Sequence, residues 1–356
     1  LDDVKNLQTD NDTLKMMQMI ALRILNEANP QSLEEVIADG KEYVSGLKYQ
    51  LDNMNNDPNA ERRAIVGDNI NDIKDRNYGN NDITGHFDRH ATHVSGIIAA
   101  SRDNGIGMDG IANNVIIMPV KAVPDGDERD KDVALAIRYA VDNGAQIINM
   151  SFGKGYSSHK EWVDEAVKYA EKHDVLLVHA AGNDGADNDS VANYPNPDFM
   201  DSNDRADNFI TVGASGPTNE DRHLAASFSN YGKKEVDVFA PGVRIYSTLP
   251  GNTYSAMDGT SMASPVVAGI AALILEYYPA LSARQLKYVI MNSALKLDSV
   301  QVIKPGTEDE MVNFSTLCQS GGIINAYSAL KLAATLKGER KISRKEKREM
   351  KMIEMR

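Results

Sequence analysis

The sequence predicts an α/β fold of three layers, a mostly parallel sheet with helices on both faces, and three observations carry that prediction. Short continuous apolar runs such as Gln146-Ile147-Ile148-Asn149-Met150 and Val175-Leu176-Leu177-Val178 lack the alternation of a half-wet strand. They read as strands buried on both faces. Between them lie longer runs with apolar residues at helical spacing, and strands alternating with helices in one chain imply parallel pairing through right-handed crossovers. Glycines such as Gly144 stand where each helix should stop.

Residues 1–62 fit that scheme least. Leu14, Met17, Ile20 and Leu25 recur at roughly helical spacing before Pro30, and Ser32-Leu33-Glu34-Glu35 forms a capping box for a second helix toward 52. We read a helical hairpin, closed by the Asn/Asp/Pro-rich loop 53–60. Residues 64–89 hold the short apolar piece Ala64-Ile65-Val66 and then a polar loop. Val115-Ile116-Ile117-Met118-Pro119-Val120 has the composition of a buried strand. Residues 132–143 follow as a helix, with Val133, Ile137, Ala140 and Val141 on one face. Further helices are expected over 158–173, 282–292 and 322–336, and strands over 146–150, 175–179, 209–214 and 236–242. The tail 337–356 is rich in Lys, Arg, Glu and Met, a solvated or unfolded composition. The expected organisation is therefore an insertion over 1–62, a catalytic-sized core over 63–336 and a charged tail.

Composition narrows the functional classes. A net charge of -13 argues against nucleic-acid binding. Cys318 is the single cysteine, so no intrachain disulfide can form. No run of 18 apolar residues predicts a transmembrane segment, and no signal peptide is visible.

Chemistry concentrates at three places. Gly259-Thr260-Ser261-Met262-Ala263-Ser264-Pro265 leads into an apolar helix and sets Ser261 at its N-terminus, where backbone N–H groups and the helix dipole favour a developing oxyanion. His90-Ala91-Thr92-His93-Val94-Ser95-Gly96 opens another small-residue helix, and Ala180-Ala181-Gly182-Asn183 ends a strand. These three boxes resemble those of the subtilisin-like serine proteases. The serine and oxyanion boxes match that family fully; the histidine box departs at Ala91 and Ser95. The similarity spans roughly 64–335, and the helical stretch 1–62 resembles the insertion found before the histidine box in large bacterial members.

The resemblance implies a serine endopeptidase acting through an acyl-enzyme. Ser261 is then the nucleophile, His90 the general base, and Asn183 an oxyanion donor beside the Ser261 N–H. His93, one turn on, reads as a packed structural histidine. Peptide or protein substrates would lie along Ser151, Phe152 and Gly153 by strand addition, with Ala180, Ala181 and Gly182 lining the pocket for the residue before the cut. Those walls are small, which points to a large apolar residue there. No cofactor or catalytic metal is implied. The loop Asp125-Gly126-Asp127-Glu128-Arg129-Asp130 reads first as a solvated acidic turn, with contact to substrate or a structural calcium as the alternatives. Export from a bacterium is the implied location.

Two features stand against the pattern. The family's Asp-Ser/Thr-Gly box, at the end of an apolar strand before the histidine, does not occur: Asp2 and Asp3 follow only Leu1, Asp68 is followed by Asn69-Ile70, and Asp88 sits too near His90. The expectation is that this aspartate lies upstream of Leu1. Without it turnover falls roughly 10⁴-fold, so this polypeptide alone is expected to be nearly inactive. Ala91 replaces a glycine, which strains the backbone only if its φ is positive. An α/β-hydrolase is excluded by chain order, because all seven histidines precede Ser261. The competing reading is a peptide-binding module with the same fold and no turnover. Retention of Ser261, His90 and Asn183 together argues against it.

Overall fold

The computed structural model describes residues 60–84, 88–123, 128–217 and 221–340. Of the helical hairpin and charged tail expected from the sequence, residues 1–59 and 341–356 lie outside those described, while 60–62 are helical and the Arg340 N–H donates to the Ala280 carbonyl at 2.9 Å. The chain divides into two compact units, 1–79 and 80–356. Among the described residues of the first, helix α1 (Ala60–Ile65) is tied to the loop after it by a fork-to-fork ion pair. Arg62 donates from Nε and Nη2 to the two oxygens of buried Asp68, at 3.0 and 2.9 Å. Its guanidinium also lies over the Tyr78 ring.

The second unit is built on a six-stranded sheet. Its strands are β1 (Ile147–Met150), β2 (Leu176–Ala180), β3 (Phe209–Ser215) and β4 (Val238–Pro241), with β7 (Leu295–Lys296) and β10 (Gly322–Ile323). The order is β1-β2-β3-β4-β10-β7, parallel throughout except for the final β10–β7 pair. Hairpin β5 (Ile245–Leu249) with β6 (Thr253–Met257) and the small ribbon β8 (Gln301–Ile303) with β9 (Met311–Asn313) stand apart from it.

The helices are α2 (Arg89–Ala99), α3 (Asp130–Asp142), α4 (Lys160–Lys172), α5 (Thr260–Tyr277), α6 (Ala283–Asn292) and α7 (Ala326–Ala333). Alternation along the strands decides what each face meets. Leu176 and Val178 of β2, Ile210 and Val212 of β3 and Val238 of β4 join Val267, Ile270, Ala271 and Ile274 of α5 in the main core. Leu177 and His179 point the other way and are buried as well. Both faces are therefore covered, as the continuous apolar runs imply. Helix α5 is long and apolar enough to cross a membrane, yet 61% of it is buried, and here it is the core helix of the unit.

One expected strand is absent. Among the described residues, 115–120 form no strand and none of their backbone groups is hydrogen-bonded. Ile116 is 97% exposed, and Ile117, Met118 and Val120 are exposed too. The apolar composition predicts a strand buried on both faces; among the described residues these positions form no strand and all but Val115 lie exposed. Strand β1 shows the same deficit, because it is the sheet's outer strand and Ile147, Ile148 and Asn149 are only half-buried.

The C-terminal helix is also shorter than its apolar pattern suggests. Gly322 and Ile323 are drawn into the sheet as β10, and Asn325 caps the helix by accepting from the Ser328 N–H at 2.9 Å.

Candidate active site

Ser261 occupies the first turn of α5, as the sequence predicts. Gly259 just before it has φ +150, a backbone conformation that side chains rarely adopt. The empty side of this glycine is informative. A Cβ built there would lie 3.6 Å from the Ser261 N–H nitrogen and 3.7 Å from Asn183 Nδ2. Met262 Sδ lies 3.6 Å from the same point, so the Ser261 nitrogen and the Asn183 amide, from distant parts of the chain, border one small open space at the helix N-terminus, where the dipole also favours negative charge.

The amide of Asn183 is held in that orientation by Thr260. The Thr260 N–H and hydroxyl both donate to Asn183 Oδ1, each at 2.9 Å, which turns Nδ2 toward Gly259. The Thr260 hydroxyl in turn accepts from the Gly182 N–H at 3.2 Å. Sequence reasoning missed the role of Thr260, although it stands inside the serine box.

A reciprocal pair fixes Ser261 to the sheet. The Ser151 hydroxyl donates to the Ser261 carbonyl at 2.8 Å, and the Ser261 hydroxyl donates to the Ser151 carbonyl at 3.2 Å. The reason lies four residues on. Pro265 has no N–H to give to the Ser261 carbonyl, so that acceptor must find another partner. Ser151 supplies it, and is itself held by Asn149 Nδ2 at 2.9 Å, while the buried Ser264 hydroxyl donates to Asn149 Oδ1 at 2.7 Å.

His90 lies in the first turn of α2. Val94 and Ile97 of that helix pack against Met262, the residue after Ser261, so the helix carrying the imidazole and the helix carrying the hydroxyl share one apolar contact. Gly96 permits the close approach on the other side. A Cβ there would lie 2.1 Å from Thr248 Oγ1 and 2.4 Å from Ser247 Oγ, hydroxyls that donate to the carbonyls of Thr92 and His93. Ala91 is within the helix and is not among the residues with positive φ, so alanine is favourable there rather than strained.

His90 keeps an exposed flank, while the protein packed around the rest of its ring lowers its pKa by desolvation. Among the described residues it makes no hydrogen bond to a carboxylate. Asp88 is paired with Lys121 at 3.1 Å, and Asp68 is committed to Arg62. His93 is fully buried, with Nε2 3.1 Å from the Ser255 carbonyl, and packs rather than reacts.

The two predicted substrate tripeptides end β1 and β2 side by side. The Ser151 carbonyl is taken by Ser261, and the Phe152 carbonyl by the buried His179 ring at 2.8 Å. Gly153 is left with backbone groups that bond to none of the described residues. Opposite, Asn193 Nδ2 donates to the carbonyls of Ala181 at 2.9 Å and Ala180 at 3.3 Å. Neither Asn193 nor Thr260 is legible as a site residue without knowing which loops meet.

Of the acidic loop proposed for calcium, 124–127 lie outside the described residues. Asp130 is engaged by Lys154 at 2.9 Å and by the His159 N–H at 2.8 Å, which holds its carboxyl below the usual range despite burial.

Residues 45–321 match the model of the subtilase family, Peptidase S8. The chain belongs to that family. Subtilisin DY of Bacillus licheniformis is 42% identical over 212 residues, which is 58% of this chain and 71% of the subtilisin. A thermophilic serine proteinase of Bacillus sp. strain AK1 is 42% identical over 219 residues, 61% of this chain and 48% of the proteinase. Among solved structures, a mutant of the protease domain of PatA is 27% identical with a TM-score of 0.55, covering 70% of this chain and 82% of that one. The subtilase match and these relatives make the chain a serine endopeptidase, a proteolytic hydrolase whose substrates are peptides or proteins.

Proposed function

We propose that Ser261 is the nucleophile of an acyl transfer, with His90 taking its proton and returning it to the leaving amine, and with Asn183 and the Ser261 N–H stabilising the oxyanion. What carries this reading is the convergence of the Ser261 nitrogen and Asn183 Nδ2 on the empty point beside Gly259. An oxyanion lodged between those two nitrogens could accept from both, at the positive end of α5. The substrate is an extended peptide that pairs with the open backbone of Gly153 on one side and lies along 180–182 on the other.

His90 needs an orienting carboxylate, and neither Asp68 nor Asp88 is free to give one. We propose that it arrives on an apolar strand from outside the described residues, the same strand that covers 115–120 and completes the sheet. The described part acting alone is then nearly inactive. The bacterial relatives support the further proposal that the protein is exported.

A fluorophosphonate probe tests the reading. It should label Ser261 in the full chain at a slow rate, with no labelling of Ser261→Ala and slower labelling of Asn183→Ala. Loss of one oxyanion donor in enzymes of this kind costs roughly 10²–10³ in rate. Equal labelling of the Asn183 variant would remove it from the oxyanion hole.

A further inference from the structure

We propose that the β8–β9 ribbon is a strut for the loop that carries Asn183, and that Gly306 at its tip is a positioning residue for that amide. The inference rests on the reading of Asn183 as an oxyanion donor. Asn183 stands in the turn 182–188, which follows β2 and belongs to no strand or helix. Such backbone keeps one geometry only where its polar groups are held from elsewhere. Thr260 orients the carboxamide, and the segment 227–231 holds the backbone. Asn230 Oδ1 accepts from the N–H groups of Asp184 and Ala186 at 2.9 and 3.0 Å. The Phe228 carbonyl accepts from the Gly185 N–H at 2.8 Å, and the Asn230 N–H donates to the Gly182 carbonyl at 2.9 Å.

The ribbon tip closes on both segments at once. Gly306 donates its N–H to the Ser227 carbonyl at 2.8 Å. Its backbone also lies against Gly185, two residues past Asn183. A Cβ built on Gly185 would meet Gly306 Cα at 2.6 Å and its nitrogen at 2.7 Å, and one built on Gly306 would run into the Gly185 carbonyl oxygen. Both glycines have positive φ, +61 at Gly185 and +77 at Gly306. Backbone rests on backbone here, so no side chain can rotate aside to relieve a push.

A strut needs a fixed root, and the ribbon has one. Val302, Phe314 and Cys318 are buried in one apolar cluster with Ala181, Val236 and Phe239. The Phe314 ring meets that of Phe239, on β4, edge to face at 5.1 Å. Lys233 Nζ donates to the Ser315 and Cys318 carbonyls at 2.9 and 3.0 Å and ties down the far end. At the tip, the Thr307 N–H and hydroxyl both donate to the Lys304 carbonyl, at 3.1 and 2.8 Å, and close the turn around Gly306. The ribbon thus carries the rigidity of the sheet to the one side of the Asn183 loop that faces away from Thr260.

Gly306→Ala tests the strut in the full chain, read by fluorophosphonate labelling of Ser261 over a series of probe concentrations. The added methyl forces the tip and Gly185 apart, which displaces Asn183 without removing it. The labelling rate at saturating probe should fall about tenfold, less than deletion of an oxyanion donor costs. The probe concentration that gives half that rate should stay within about twofold, because probe binding is not what the strut serves. Gly144→Ala is the control for backbone strain: Gly144 also has positive φ, +89, with open space around it, so labelling should not change. In an Asn183→Ala background, Gly306→Ala should have no further effect, since the donor it positions is gone. A folded Gly306→Ala protein that labels at the ordinary saturating rate would overturn the proposal. An equal fall in Gly144→Ala, or in the Asn183→Ala background, would overturn it too, by showing an effect of stability or of some other group. Should Gly306→Ala fail to fold, Gly306→Asn carries the same Cβ on a residue that accepts positive φ, and the same results decide. Labelling of Asn183→Ala as fast as the unsubstituted chain would sink the oxyanion reading itself, a result distinct from a failure of the strut.

Discussion

Pro265 and Ser151 show how one missing N–H shapes a site. Proline leaves the Ser261 carbonyl without its helical donor, and the Ser151 hydroxyl replaces it at 2.8 Å. Ser151→Ala should cost about 1–2 kcal/mol, the price of a buried carbonyl left without a partner. Adding Pro265→Ala restores an N–H four residues on, so the double variant should recover stability relative to Ser151→Ala alone. Denaturant melts of the four proteins, compared as a cycle, check the coupling. Gly259 makes a sharper case. Gly259→Ala puts a methyl group at the point faced by Ser261 N and Asn183 Nδ2, on a backbone with φ +150. Probe labelling should drop by roughly 10²-fold or more, as for an abolished oxyanion donor. His179 adds a pH dependence. Burial lowers its pKa from 6.5 to about 4, so the unfolded chain takes up the proton first as pH falls. Stability is intact above the unfolded value and declines through the window down to the folded one, by roughly 3 kcal/mol at its limit. His179→Gln, which still has a donor for the Phe152 carbonyl, should flatten the fall in melting temperature between neutral and acidic buffer.

At the level of elements, the helices were the most legible part of the chain and the sheet edges the least. The helix over 282–292 could be read almost to the residue because Ser282 and Gln285 form a capping box around an apolar stripe, and both bonds of that box are present. Strands β2 and β3 were recognisable because they are buried on both faces. Hairpin β5–β6 escaped notice: its strand faces mix Tyr, Ser and Thr with few aliphatic residues, and its burial depends on α2 lying against it. Ser261, His90 and Asn183, the proposed nucleophile, base and oxyanion donor, stand out in the sequence because each lies at the end of a regular element. Thr260 and Asn193 do not, because their work depends on loops that meet only in space. Gly96 belongs to this scale as well. A methyl group there would collide with the Thr248 and Ser247 hydroxyls, so Gly96→Ala must push α2 away from β5. Destabilisation of about 1–3 kcal/mol is expected from such overpacking, with slower labelling of Ser261 because the histidine helix moves. Unchanged melting and labelling would show that the helix has slack.

Across the described residues, the six-stranded sheet keeps an edge at each end, and both edges carry apolar side chains that are not fully buried. Strand β7 ends one edge with an antiparallel partner, whereas β1 ends the other with its aliphatic residues only half-buried. Residues 115–120 add a second such stretch, with Ile116 97% exposed. Continuous exposed apolar surface of this kind, with unpaired backbone, is a template for association. Ile116→Lys should raise the soluble yield and shift the sedimentation profile toward monomer, without changing the melting of the α5-centred core. The strip also has a practical consequence. Protein in which 115–120 stays uncovered should cling to phenyl resins, foul surfaces and demand a holdase while being made, so chaperone co-expression would report on that exposed stretch before any assay of peptide cleavage does.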